Sequence, residues 1–190
     1  MRLTVPGMVR RVQISVVGFN EDSCTDVARE AAYRVGKEIA KQGGTIICGG
    51  LGGVMESASK GAIEAGGLAV GIVPSADLAQ ANKYCDAVVA TGLGWSRNFV
   101  VAYSGDAMVV VGGGAGTLTE AAAAYQADKP IVSVKGTGGV ADEWGGKYFD
   151  ERRTRLMIEG SSPEDAVKKA LDEISSGGGG PARRKARAKG

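Results

Sequence analysis

Short apolar runs recur along this chain, and most lead into a stretch of helical character. Residues 12–17 (VQISVV), 45–48 (TIIC), 68–72 (LAVGI), 87–91 (AVVAT), 107–111 (AMVVV), 130–134 (PIVSV) and 154–158 (TRLMI) read as strands. Helices are expected over 23–42 (Ser23 as N-cap, Gly43 as stop), 54–65, 94–103, 117–126 and 163–174 (Ser162 as N-cap, Pro163 first). The strands do not alternate apolar with polar residues, which argues for a parallel sheet covered on both faces. The expected fold is therefore α/β: a single-domain, Rossmann-like, doubly wound and mostly parallel sheet with helices on both faces. At 190 residues one domain is expected. It spans 12–176, after an extension over 1–11 and before a glycine linker and basic disordered tail over 177–190.

Several chemistries are excluded by residue counts. There is no histidine, which removes Ser-His-Asp triads and histidine-ligated metals. Cys24, Cys48 and Cys85 are far apart and form neither a disulfide framework nor a CxxC knuckle, so no metal site is expected. No apolar run approaches the roughly 20 residues that span a bilayer, and no signal peptide is visible, so a cytoplasmic protein with no membrane partner is expected. The net charge of +2 hides a basic tail, since five positive charges lie in the last ten residues. The remaining body is slightly acidic, and a nucleic-acid partner is not expected.

Glycine is the compositional anomaly, with 31 of 190 residues, clustered between apolar runs. Two clusters share the pattern G-x-G-x-x-x-E: Gly50 to Glu56 and Gly114 to Glu120. Each follows a strand and leads into a helix, where bare backbone and the first helical N–H groups favour an anion. A phosphorylated ligand held between the two loops would touch Gly49, Gly50, Gly52, Gly53 and Met55 of the first. It would touch Gly113, Gly114, Gly116 and Thr117 of the second. Neither loop matches G-x-G-x-x-G or the P-loop, so NAD chemistry and ATP hydrolysis have no direct support. The other reading of these glycines is as tight strand–helix turns.

Three further features stay open at this level. Thr117-Leu118-Thr119-Glu120 is a literal capping box, so Glu120 either caps the helix or faces the ligand. A carboxylate beside a phosphate needs a balancing cation, and Arg97 is the candidate unless it is an exposed surface residue. Residues 136–146 with Trp144 form either a lid or a packed loop, and Trp95 and Trp144 either stack on a ring or pack.

The run Gly113-Gly114-Ala115-Gly116-Thr117-Leu118-Thr119-Glu120 resembles the GGxGTxxE signature of the LOG ("lonely guy") family, once loosely labelled lysine decarboxylases. Arg97, on a helix before the signature strand, matches a second family mark. GGLGGVME (49–56), the run from Lys60-Gly61-Ala62 to Ala65-Gly66-Gly67, and the run from Thr91-Gly92 to Arg97-Asn98 are most similar to the branch related to molybdenum-cofactor carrier proteins. The resemblance covers about 12–174. It implies a Rossmann-like homo-oligomer, a dimer or tetramer, with a phosphorylated small molecule as its partner. In the phosphoribohydrolase branch a nucleoside 5′-monophosphate is cleaved to free base and ribose 5-phosphate. Gly113, Gly114, Gly116 and Thr117 would then hold phosphate, and Arg97 and Glu120 would be catalytic. Two positions depart from that pattern: Gly112 stands where the family has proline, and Asn98 where it has lysine.

The first expectation is a binding or carrier protein for a nucleotide or a molybdopterin-like cofactor. No cofactor is required, and the bound nucleotide or molybdenum cofactor is cargo. The alternative is the phosphoribohydrolase, and a further one is a nucleotide sensor whose lid is 136–146.

Overall fold

The computed structural model describes residues 10–177. The expected tail beyond 177 and the extension over 1–9 lie outside them. Within them the chain forms one seven-stranded, all-parallel sheet in the order β4-β3-β2-β1-β5-β6-β7. The strands are β1 (Gln13–Gly18), β2 (Thr45–Cys48), β3 (Leu68–Val73), β4 (Ala87–Ala90), β5 (Ala107–Val111), β6 (Ile131–Val134) and β7 (Met157–Gly160). The helices are α1 (Asp26–Lys41), α2 (Val54–Glu64), α3 (Arg97–Ser104), α4 (Ala115–Gln126), α5 (Gly139–Trp144) and α6 (Pro163–Ser175). This is the doubly wound α/β fold read from the sequence. Among the described residues no helix is long and apolar enough to cross a membrane.

The central strands are apolar at successive positions because both faces are covered. Val16 packs with α1, α2 and α6, while its neighbour Val17 packs with α3, α4 and α5. The same split separates Val109 from Val110, and Ile46 from Ile47. Helices α1 and α2 meet almost backbone to backbone. A Cβ on Gly36 would overlap the Ala58 carbonyl, and one on Gly61 would overlap the Tyr33 carbonyl. Gly36→Val should therefore cost about 2–4 kcal/mol through forced separation of the helices, read as a lower denaturation midpoint at unchanged slope.

Three of the boundaries that differ from the sequence reading bear on packing or on the site. Ser23 is not the cap of α1; it ends a short 3-10 turn, Glu21–Ser23. Thr25 is the cap, its Oγ1 accepting from the Ala28 N–H at 3.1 Å. The seventh strand starts at Met157 rather than 154, because Arg155 leaves the ladder for ion pairs with Asp128 (3.1 Å) and Glu173 (3.4 Å). Helix α4 begins at Ala115, two residues before Thr117. The Ser162 cap and Pro163 start of α6 stand as read, with Ser162 Oγ accepting from the Asp165 N–H at 3.1 Å.

Candidate functional site

The strand order reverses between β1 and β5, the place where doubly wound sheets bind ligands beyond the strand carboxyl ends. A cavity of about 260 Å³ lies there. Its floor is the end of β1 and the connection after it, from Val16 through Asn20. Gly49, Leu51 and Met55 come from the side of β2 and α2. Trp95, Arg97 and Asn98 come from the start of α3, and Gly114, Gly116, Thr117 and Glu120 from α4.

The second glycine loop is built to open a helix end. Gly112 and Gly113 have φ of 61° and 103°, a left-handed backbone that glycine adopts freely. The Gly112 N–H donates to Thr137 Oγ1 at 2.8 Å, and the Val140 and Ala141 N–H groups donate to the Gly113 and Gly112 carbonyls at 2.9 and 3.1 Å. Residues 136–146 therefore pack behind this loop instead of lying loose over the cavity, and Trp144 stacks on Phe149 with ring centroids 5.1 Å apart. The chain then turns at Gly114 into α4. Among the described residues no protein acceptor takes the N–H groups of Ala115, Gly116 or Thr117. A Cβ at Gly114 would have no atom within 4 Å. The helix N-terminus faces open space beside the cavity, the arrangement that favours an anion.

The capping box does not form. Gly114 is the N-cap, and Thr117 lies inside the first turn of α4. Its hydroxyl donates to the Gly18 carbonyl at 3.1 Å, tying α4 to the end of β1. Glu120 lies a turn further along, so its carboxyl is released from capping. It meets Arg97 instead, Nη1 to Oε1 at 3.3 Å, with both side chains 8% exposed. Arg97 is thus a buried residue of the cavity wall, not an exposed one. Burial raises the Glu120 carboxyl to about 8, against the opposing pull of Arg97. Burial also lowers the Arg97 guanidinium from its usual value, while Glu120 opposes the shift.

The first glycine loop behaves differently. Gly49 makes room for Arg97, since a Cβ there would overlap the guanidinium. Gly50, with φ of 73°, turns tightly against Val73 and Gly71. Gly53 is the N-cap of α2, and its N–H already donates to Glu21 Oε2 at 2.8 Å. Gly50, Gly52, Gly53 and Gly113 shape the turns that flank the cavity, and its wall is formed by other residues of the two loops. The structure brings together Gly49, Met55, Arg97, Gly114, Gly116, Thr117 and Glu120. Sequence reasoning missed Gly18, Phe19, Asn20, Ser23 and Leu51 on the wall; the signal was the Gly18-Phe19-Asn20 break directly after the first strand. Asn98 is 5% exposed and reaches the cavity, and Trp95 stands at its rim, 84% exposed. Among the described residues no cluster of carboxylates and thiols is arranged to hold a metal.

A doubly wound sheet with its cavity at the switch point, bounded by the GGxGTxxE turn and an Arg97–Glu120 pair, defines a Rossmann-like protein of the LOG superfamily. The chain belongs to the SLOG cluster4 family, whose model matches residues 11–167. It is 34% identical over 137 residues to the cytokinin riboside 5′-monophosphate phosphoribohydrolase of Mycobacterium tuberculosis, covering 67% of this chain and 68% of that one. Among solved structures it is similar to the molybdenum cofactor binding protein of Rippkaea orientalis, at TM-score 0.78 and 32% identity, covering 88% of this chain and 99% of that one. The molybdenum cofactor carrier protein of Chlamydomonas reinhardtii is similar at TM-score 0.75 and 32% identity, with the same coverage. The carrier-related branch read from the sequence is therefore the one its structural neighbours occupy.

Proposed function

We propose that the chain binds or carries a small phosphorylated ligand, a nucleotide or a molybdopterin-like cofactor, at the switch-point cavity. The observation that carries this reading is the open N-terminus of α4 beside the buried Arg97–Glu120 pair. The ligand phosphate accepts from the N–H groups of Ala115, Gly116 and Thr117, and the helix dipole favours its charge. The rest of the ligand lies toward Gly49, Met55 and Arg97, and Trp95 offers a ring face at the rim. Burial raises the Glu120 carboxyl, which weakens its repulsion of a phosphate near neutral pH. Similarity to molybdenum cofactor binding and carrier proteins supports cargo that is held and passed on.

The titration of Glu120 gives a signed expectation. A dianionic phosphate raises its carboxyl above about 8 by repulsion, so the complex holds the proton more tightly than the free protein does. Affinity should therefore be steady between about pH 6.5 and 7.5, where the phosphate stays dianionic, and fall about tenfold by pH 9. Glu120→Gln should make the profile flat. Titration calorimetry at pH 7 and pH 9 reads both.

A second reading is favoured by one observation: Glu120 is free of any cap and lies in the cavity wall beside Arg97. That arrangement suits N-glycosidic cleavage of a nucleoside 5′-monophosphate, as the similarity to a phosphoribohydrolase suggests. Protonated Glu120 can donate to the departing base; ionised, it stabilises positive charge on the ribose or orients water. Chromatography of a panel of nucleoside 5′-monophosphates, incubated with the protein and with Glu120→Gln, separates the two. Base released only by the parent establishes hydrolysis. Ligand retained without release supports the carrier reading.

A further inference from the structure

Among the described residues, four buried polar side chains stand on the cavity wall: Arg97, Asn98, Thr117 and Glu120. Three of them are already paired. Arg97 meets Glu120 at 3.3 Å, and the Thr117 hydroxyl donates to the Gly18 carbonyl at 3.1 Å. The fourth, Asn98, has no hydrogen-bond partner among the described residues, although it is only 5% exposed. Its amide is not sealed in as Ser133 Oγ is, and it opens onto the cavity. An asparagine in the first turn of a helix can bond back to its own backbone. In α3 it does not, and the side chain crosses toward α4 instead. A Cβ on Gly116 would lie 3.6 Å from Asn98 Nδ2 and 3.8 Å from Trp95 Cζ3. The bare Gly116 thus keeps a space between the amide nitrogen and the start of α4. The N–H groups of Ala115, Gly116 and Thr117, which no protein acceptor takes, border the same space.

We propose that Asn98 is a specificity-determining residue of this cavity: its Nδ2 donates to the ligand phosphate, and its Oδ1 accepts from a ligand hydroxyl near that phosphate. The inference rests on the reading of α4 as the phosphate site. Nitrogen is the amide atom turned toward α4, and only nitrogen can donate to a phosphate oxygen. The amide oxygen is left for a donor on the ligand, because the neighbouring wall offers it none: Arg97 is engaged with Glu120, and the Thr117 hydroxyl with Gly18. A ligand that serves only the nitrogen leaves a buried acceptor unpaired, which weakens binding by about tenfold. The class accepted is a phosphomonoester with a hydroxyl within reach of the phosphate, such as a sugar phosphate. Phosphomonoesters of plain alcohols are held less tightly.

The test compares ribose 5-phosphate with tetrahydrofurfuryl phosphate, a phosphorylated ring of the same size without hydroxyls, by titration calorimetry. The parent should bind ribose 5-phosphate about tenfold more tightly. Asn98→Leu keeps the size of the side chain and removes both donor and acceptor. Its melting temperature should be unchanged or higher, because a buried polar group without a partner is lost. Both probes should bind it more weakly, and the preference for ribose 5-phosphate should fall to about threefold or less. Asn98→Asp keeps an acceptor oxygen and brings negative charge toward the phosphate. It should weaken both probes about tenfold or more while keeping the preference, and it serves if the leucine variant folds poorly. No preference in the parent, a preference undiminished in Asn98→Leu, or unchanged affinity of both probes in Asn98→Asp overturns the inference while leaving the α4 site standing. Failure of both probes to bind the parent removes the α4 reading, and this inference with it.

Discussion

Gly114→Asp is expected to abolish binding of the phosphorylated ligand while leaving the protein as stable as before, or more so. Position 114 is the N-cap of α4, with φ −116° and ψ −151°, an extended conformation that aspartate adopts without strain. Nothing lies within 4 Å of the added Cβ. Aspartate is among the best N-cap residues, and its carboxylate would accept from the N–H groups that are otherwise open. A gain of about 0.5–1 kcal/mol in stability is expected from the cap and the helix dipole. The same carboxylate sits where the phosphate would, so affinity should fall at least about 100-fold, through loss of the donors and direct repulsion. Thermal unfolding and calorimetry on one preparation read both effects. The opposite signs matter, because a substitution that merely damaged the fold would lower both.

Arg97→Ala carries the second large effect. It removes the cation that lines the cavity beside Glu120 and leaves a space against Gly49. Loss of a buried partner in a charged contact costs about 2–5 kcal/mol in binding, so affinity for the phosphorylated ligand should fall about 30-fold or more. The fold should suffer less than the usual cost of breaking a buried ion pair. Burial already favours the protonated Glu120 carboxyl, and loss of Arg97 favours it further. An uncompensated buried charge is thereby avoided. Stability should drop by about 1–2 kcal/mol near neutral pH, mainly from lost packing of the guanidinium. Above pH 9 the loss should grow, since ionised Glu120 would then lack its counter-charge. Denaturant midpoints at pH 7 and pH 9 check the sign.

The sheet was legible because its signals are local. Ala107–Val111 and Thr45–Cys48 are bounded on the sequence as they are in the fold, and the apolar continuity of the strands reports cover on both faces. The LOG-like signature located the second loop and paired Arg97 with Glu120. What stayed hidden depends on distant segments. The capping box of Thr117 and Glu120 is a valid local pattern, but the helix start is set two residues earlier by the turn at Gly112 and Gly113, which α5 holds from behind. The burial of Arg97 depends on the missing side chain of Gly49, from the other half of the sheet. The two glycine loops read alike because nothing near Gly53 in sequence announces Glu21, which arrives from 32 residues away. The late start of β7 has the same origin, in the ion pairs that draw Arg155 aside.

The central claim is that the phosphate seats on the start of α4 and not on the start of α2. Two-dimensional amide NMR of the full chain, titrated first with inorganic phosphate and then with ribose 5-phosphate, tests it most directly. Saturable shifts concentrated at the N–H groups of Ala115, Gly116 and Thr117, absent in Gly114→Asp and small at Gly53 and Val54, are the predicted result. Shifts centred on Gly52 to Val54 with α4 silent, or saturable binding that survives Gly114→Asp, would contradict it.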